Sequence, residues 1–558
     1  MRGFLFCAAF ALVALGMSAQ APDWVWAVRA GDIGHDRGHA IAVDSQGNQY
    51  VTGLFWGSVE FGSVTLISAD NYDSDMFVCK LDSAGNFLWA VSAGGIGHDR
   101  GTGIAVDSAG YVYVTGIFTG AVFFGPFHLS SGGGSDIFVA KLDQGGNWLW
   151  AVRAGGPDSM PDYYEDQSYG IAVDGAGNAF VTGQFLGSAS FGSISLSSSG
   201  TYDYDIFVAK LDAGGNWVWA QRAGGSSWDR GRAVALDSSG NVYLTGYING
   251  SADFGDTVIT AAGSYDIFAA KLDQGGDWLW AVRAGGAWQE WGSGIAVGPD
   301  DEIYLTGTYH GPANFGSIAL PETSVYKNFA AKMDAGGNFL WAREVGGLHT
   351  QNDDSAIAVD GWGNVCLTGV FWGTASFGAT SFTSYGYYDL FAAKMDSNGN
   401  WLWARRAGGP EHIYGIGIAV DAASNAYLTG FFFGSVAFGP IGLTADGPGS
   451  ELFIAKLYSG VPVEDELVSG LAGLSSLSAA WPNPFRQGET ANITACVAKG
   501  ESGILSVHNL RGELIFRREL GSGEQQISLD SRDLASGVYL CRLRTPSGTQ
   551  VRKLVLIR

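Results

Sequence analysis

"DIFVAKLDQGGNWLWAVRAGG", residues 136–156, joins two alternating apolar stretches through a Gly-rich turn, the pattern of a β-hairpin. The phrase recurs. Its Lys falls at 80, 141, 210, 271, 332, 394 and 456, at intervals of 61, 69, 61, 61, 62 and 62 residues. A second phrase, as in "GIAVDGAGNAFVTG" (170–183), ends in Thr-Gly with the Thr at 52, 115, 182, 245, 306, 368 and 429. Both phrases turn through D-x-x-G-N, where glycine accepts the left-handed conformation that a short hairpin needs. Each unit therefore reads as four strands. Seven such units predict an all-β chain, a seven-bladed β-propeller.

The last copy, "ELFIAKLYSG" (451–460), lacks the following Trp-x-Trp strand and runs into "VPVEDELVSG". The missing partner stands at the other end as "DWVWAVRAG" (23–31). The sequence thus predicts a ring closed by its N-terminal strand. With a three-residue turn after Asp143, Leu142 faces Trp148, Ala140 faces Trp150 and Phe138 faces Val152. The same register sets Leu457 against Trp24 and Ala455 against Trp26. Cys79 takes the small slot of its own unit and reads as a buried filler. A Lys demanded in all seven units serves the unit, through a hydrogen bond or ion pair between neighbours.

Composition agrees: 85 Gly, 13% aromatic and only 15% charged residues suit many short strands and tight turns. The net charge of −23 is uneven, with 19 Lys+Arg against 47 Asp+Glu over 22–469 and 11 against 7 over 470–558. So acidic a body repels phosphate backbones, which argues against a nucleic-acid partner. "MRGFLFCAAFALVALGMSAQAPDW" has the layout of a secretory leader, cut after Ala19 or Ala21, with Cys7 inside the apolar run. No other stretch is long and apolar enough to span a membrane once residues 1–21 are removed. Four cysteines then remain, with no disulfide framework or metal-binding spacing; Cys496 and Cys541 are expected to stay unpaired.

The core "RAVALDSSGNVYLTG" (232–246) resembles the bacterial SBBP family of seven-bladed propeller repeats, over about residues 23–458. "GIAVGPDDEIYLTG" (294–307) departs from it in lacking the usual Asp and Gly of the turn. The resemblance implies a fold and an extracytoplasmic setting, not a ligand. "AWPNPFRQGETANITACVAKGESGILSVHNLRGELI" and "LASGVYLCRLRTPSGTQVRKLVLIR" are similar to the type A C-terminal sorting domain of the type IX secretion system. That likeness implies a small β-sandwich over 480–558, a translocon as partner, and export to the outer surface of a Gram-negative bacterium. Residues 22–460 are then the propeller and 461–479 a linker.

The D-x-x-G-N turns hardly vary between copies, whereas the connections between units vary widely, which makes their face the candidate binding site. It offers His35, Asp36, His98, Asp99, Tyr163, Tyr164, Trp228, Trp288, Trp291, His349, Glu411 and His412. Aromatic rings beside carboxylates suit sugars or peptide segments. The plain alternative for Asp36, Asp99 and Asp229 is that Asp-Arg-Gly pairs locally and turns the chain into the next blade. Asp158, Asp162, Glu165 and Asp166 crowd the longest connection as weak Ca²⁺ ligands or paired acids, without EF-hand spacing. No nucleophile elbow, HExxH or phosphate loop is present, and no cofactor is expected. The leading expectation is a secreted or surface-displayed propeller that binds glycan or protein without catalysis. A polysaccharide lyase or glycosidase, and an architectural surface-layer component, are the alternatives.

Overall fold

The computed structural model describes residues 23–32, 34–69, 73–157, 166–200, 203–349, 355–458 and, in a second compact unit, most of 490–557 with the short pieces 476–477 and 485–486. Every regular element among them is a strand. The strands Gln167–Val173, Ala179–Leu186, Tyr204–Leu211 and Trp217–Ala223 pair antiparallel in that order, and the same four-strand order recurs along the chain. The connection between second and third strands carries a small hairpin, such as Ser188–Phe191 with Ile194–Ser197. That hairpin pairs back onto the preceding unit's fourth strand, Phe191 opposite Ala154.

The strand Trp24–Ala30 pairs with Glu451–Leu457, so the last set of four runs Trp24–Ala30, Glu451–Leu457, Ala426–Phe432, Ile413–Val420. Its packing repeats that of the other units. Trp24 meets Phe438 edge-on at 5.0 Å and 86°, as Trp148 meets Phe124 at 5.0 Å and 85°. The indole N–H of Trp26 donates to the Ser83 carbonyl at 3.3 Å, as that of Trp150 donates to Ala213 of the following unit at 3.2 Å. The amide of Asp36 donates to Ser450 O at 2.7 Å, as that of Asp99 donates to Ser74 O of the preceding unit at 2.7 Å. The last two of these motifs join the first and last units as they join successive ones, and the first repeats the packing within a unit.

The register differs from the sequence expectation after its first pair. Leu142 faces Trp148 and Leu457 faces Trp24, but Trp150 faces Lys141 and Trp26 faces Lys456. Ala140 then stands opposite Ala151, Ala455 opposite Ala27, and Val152 opposite Val139 rather than Phe138. A β-bulge causes the slip: the residue between the two aromatics is the extra one, and it points outward, Leu149 being 41% and Val25 50% exposed. The bulge also gives the repeated lysines their role. Lys80, Lys141, Lys271 and Lys456 lie 4.9, 4.6, 4.7 and 5.0 Å from the rings of Tyr50, Tyr113, Tyr243 and Tyr427. Lys456 also donates to Ser83 O at 3.3 Å, tying neighbouring units together. Cys79 is fully buried, opposite Ala90.

The turns behave as written. Asp143 Oδ1 accepts the amides of Gly145 at 2.8 Å and Asn147 at 2.9 Å, while Gly146 sits at φ 85°. The two copies without that glycine place Asp301 (φ 57°) and Ser424 (φ 64°) in the same left-handed region.

In the second unit, Thr490–Val497 pairs with Gly523–Asp530 in one sheet. Leu514–Leu520, Gly503–Asn509, Gly537–Thr545 and Gly548–Ile557 follow one another in the other. Alternate residues, among them Ile493, Val507, Ile527, Cys541 and Leu554, share one core, while Cys496 and Cys541 are free thiols.

Candidate functional site

The Asp-Arg-Gly phrase at the entry to a unit splits in two. Its acid turns inward: Asp36, Asp99 and Asp229 are fully buried, as is Glu290, which takes the same place in another unit. They hold backbone. Asp229 accepts the amides of Gly225 at 2.7 Å and Asn249 at 2.8 Å, and Asp166 those of Gly156 at 2.8 Å and Leu186 at 3.0 Å. Asp36 accepts that of Asp32 at 3.1 Å, and Glu290 that of Gly286 at 2.9 Å. Each thus fastens the end of one unit to the start of the next. Burial is the main cause that pushes the carboxyls of Asp36, Asp229 and Glu290 up to about 8 and that of Asp99 to about 9, and nearby carboxylates add to it.

The arginine that follows turns the other way. Arg37, Arg100 and Arg230 begin the innermost strands Arg37–Val43, Arg100–Val106 and Arg230–Leu236. With Arg232 they line a cavity of about 1050 Å³, whose wall takes residues from the first strand of every unit. Gln167 and Tyr414 stand where those copies lack the arginine. His39 shares the wall and bonds Gly101 O at 2.9 Å; burial chiefly lowers its imidazole to about 4, and Arg100 and Arg37 push the same way.

The aromatic candidates fall into groups. Trp56 lies between His35 (5.9 Å, edge-on) and His98 (6.0 Å, stacked). His412 stacks against Tyr387 at 4.8 Å and Tyr414 at 5.9 Å. Tyr414 stacks in turn on Phe431 at 4.7 Å, and the Arg37 guanidinium lies over Phe431 at 4.5 Å. A third run leads from Trp288 to His310 (5.2 Å), Tyr326 (4.9 Å) and Trp291 (5.4 Å). Trp228 is 45% exposed, meets Tyr204 at 5.7 Å and borders the cavity. Trp288 is 55% exposed, whereas Trp291, at 6%, packs between Tyr265 and Tyr326 as part of the fold. Glu411 is exposed beside Gly434. His349 ends the strand Phe339–His349. Tyr163, Tyr164, Asp158, Asp162 and Glu165 lie outside the described residues; Asp166 is buried under its backbone amides.

The four arginines were not singled out from the sequence. Three of them carry a signal: the position directly after that of the acid is Arg at 37, 100 and 230 and Gln167, Trp291, Asp353 or Tyr414 in the other copies, while Arg232 stands two residues further on at a position that varies between copies.

Comparison with known proteins agrees with this architecture. Residues 162–184, 218–255 and 402–430 match the SBBP beta-propeller repeat, and residues 479–557 match a secretion system C-terminal sorting domain. An uncharacterized WD repeat-containing protein of Acanthamoeba polyphaga mimivirus is 24% identical over 73% of this chain and 36% of its own length. The regulatory protein FlaEY of Caulobacter vibrioides is 30% identical over 26% of this chain and 15% of its own. The chain therefore spans well under half of either relative. Among solved structures, YCF48 bound to D1 peptide is 12% identical, covering 79% of this chain and 99% of its own, with a TM-score of 0.34. The chain thus carries propeller repeats that match the SBBP model and a C-terminal sorting domain of the type IX secretion system, which indicates export to the outside or the cell surface of a bacterium.

Proposed function

We propose that residues 22–460 form a closed seven-bladed ring, with Trp24–Ala30 as the fourth strand of its last blade, and that this ring is a non-catalytic glycan-binding module. The leader is residues 1–21, the linker 461–479, and 480–558 the sorting domain handed to the type IX machinery. The single observation that carries the binding reading is the pair of exposed indoles on connections between units, Trp228 at 45% and Trp288 at 55%, of which Trp228 borders the cavity. Exposed ring faces with polar neighbours are how proteins take sugar rings. A binding role is favoured over hydrolysis or lyase chemistry by the fate of the perturbed carboxyls. Asp36, Asp229 and Glu290 are buried on backbone amides, and Asp99 occupies the same place, repeated from unit to unit as an architectural part is. A glycan array probed with the full-length chain tests the proposal. Specific signals lost in a Trp228→Ala/Trp288→Ala variant of unchanged Tm are expected. Release of reducing sugar from a polysaccharide panel would instead establish the enzyme.

A further inference from the structure

Cations are scarce in the acidic body, which holds eleven Arg and eight Lys between residues 22 and 469. Most have structural posts. Seven of the lysines are the repeated ones of the K-L/M phrase. Arg29, Arg153, Arg222, Arg283 and Arg406 pair with the carboxylate that opens the third strand of their own unit, as Arg222 does with Asp205 at 2.6 Å. Where the arginine is replaced by Glu344, Lys327 takes the opposite place, 2.5 Å away. Four of the six remaining arginines, Arg37, Arg100, Arg230 and Arg232, converge on one cavity, and its lining contains no Asp or Glu among the described residues. In a body this acidic, the gathering of four arginines on one wall is against composition.

We infer that this cavity receives the acidic group of an oligosaccharide, a sugar carboxylate or sulfate ester, held by Arg37, Arg100, Arg230 and Arg232 while its ring lies against the aromatic wall. The inference rests on the glycan-binding reading and deepens it. Guanidinium is planar and offers paired donors matched to carboxylate and sulfate oxygens, a fit that the ammonium of lysine lacks. Three of the four lie over rings, Arg37 over Phe431 at 4.5 Å, Arg232 over Tyr169 at 4.6 Å and Arg230 over Tyr247 at 5.7 Å, which restricts each guanidinium before a ligand arrives. Trp228, 45% exposed on the same wall, supplies a face for a pyranose ring, which favours a sugar over an acidic peptide. The acidic exterior opposes a long polyanion, but it is screened beyond about 10 Å at 0.1 M salt. A short acidic oligosaccharide meets the cavity's field rather than the body's.

The test is calorimetric titration of the full-length chain with a tetragalacturonate, a sulfated galactan tetrasaccharide, the matched neutral galactan and an oligoglutamate. One or both acidic sugars are expected to bind at least tenfold more tightly than the neutral one, and the arm that binds names the acid. Arg230→Gln/Arg232→Gln should cut that affinity tenfold or more while neutral binding stays as it is. Arg37→Gln/Arg100→Gln reads the same loss if the first pair fails to fold. On the wild-type chain, affinity for the acidic sugar should fall as salt rises from 50 to 500 mM. Equal affinity for acidic and neutral sugars, unmoved by the arginine variants, overturns this inference and leaves glycan binding standing. Absence of binding to any sugar overturns both, and binding of oligoglutamate alone overturns the choice of a sugar.

Discussion

Trp26 faces Lys456 across the ladder between the chain's first strand and Glu451–Leu457, and its indole reaches Ser83 of the next unit. One side chain thus touches both sides of the seam at which the proposed ring closes. Deleting residues 23–30 removes this contact, the buried Trp24 and the partner strand of Glu451–Leu457. A sharp fall in Tm is expected by calorimetry, and Trp24→Ala alone should cost about 3 kcal/mol. A deletion variant that melts like the full chain would sink the closure.

The buried acids set a pH dependence. Carboxyls raised to about 8 or 9 in the fold, against roughly 4 when unfolded, bind more protons folded than unfolded between those values. Their stabilisation is complete below pH 4 and is lost as pH rises through 8 to 9. The turn aspartates work in the opposite sense: hydrogen bonds from Asn147 hold Asp143 below its usual value, so its contribution is present above pH 4 and lost in stronger acid. Tm should therefore peak on the acid side of neutrality and decline towards pH 9. Asp99→Asn should flatten the alkaline limb, and a Tm that rises steadily from pH 5 to 9 would contradict the assignment.

Gly215 gives a local test of how units mesh. It sits at φ 84°, and a Cβ there would lie 2.8 Å from Cδ2 of Trp150 in the preceding unit. Gly215→Ala adds left-handed strain to a clash with a packed ring, so a loss of about 2 kcal/mol or more is expected in chemical denaturation. Gly361 has nothing within 4 Å of such a Cβ, and Gly361→Ala should be close to neutral.

The repeat made the unit, its turns and its terminal partner legible, because seven copies of one phrase average out the ambiguity of any single strand. The register was legible only as far as the first pair, Leu142 with Trp148. A bulge is marked by an outward apolar residue, Leu149, which in an alternating pattern looks like any other strand position. The acid of Asp-Arg-Gly reads as a site candidate because it stands on a variable connection; its burial follows from backbone amides that only the three-dimensional turn supplies. The same holds for Arg230, whose adjacency to Asp229 suggests a local pair, whereas consecutive residues of an extended chain point to opposite sides.

Residues 1–461 and 462–558 cluster as separate compact units, each with its own core. A chain ended after Tyr458 should therefore fold with the Tm of the full chain's larger unit, since every strand of the repeats and the Trp24–Leu457 pair are kept. It would lack the secretion-system sorting domain matched over 479–557, and so, with the proposed leader at 1–21, should cross the inner membrane but stop short of the surface. Fractionation of a type IX-competent host expressing both forms would read this directly. The full chain is expected in the medium or on the surface and the truncated one in the periplasm, and equal surface delivery of both would deny the domain its role.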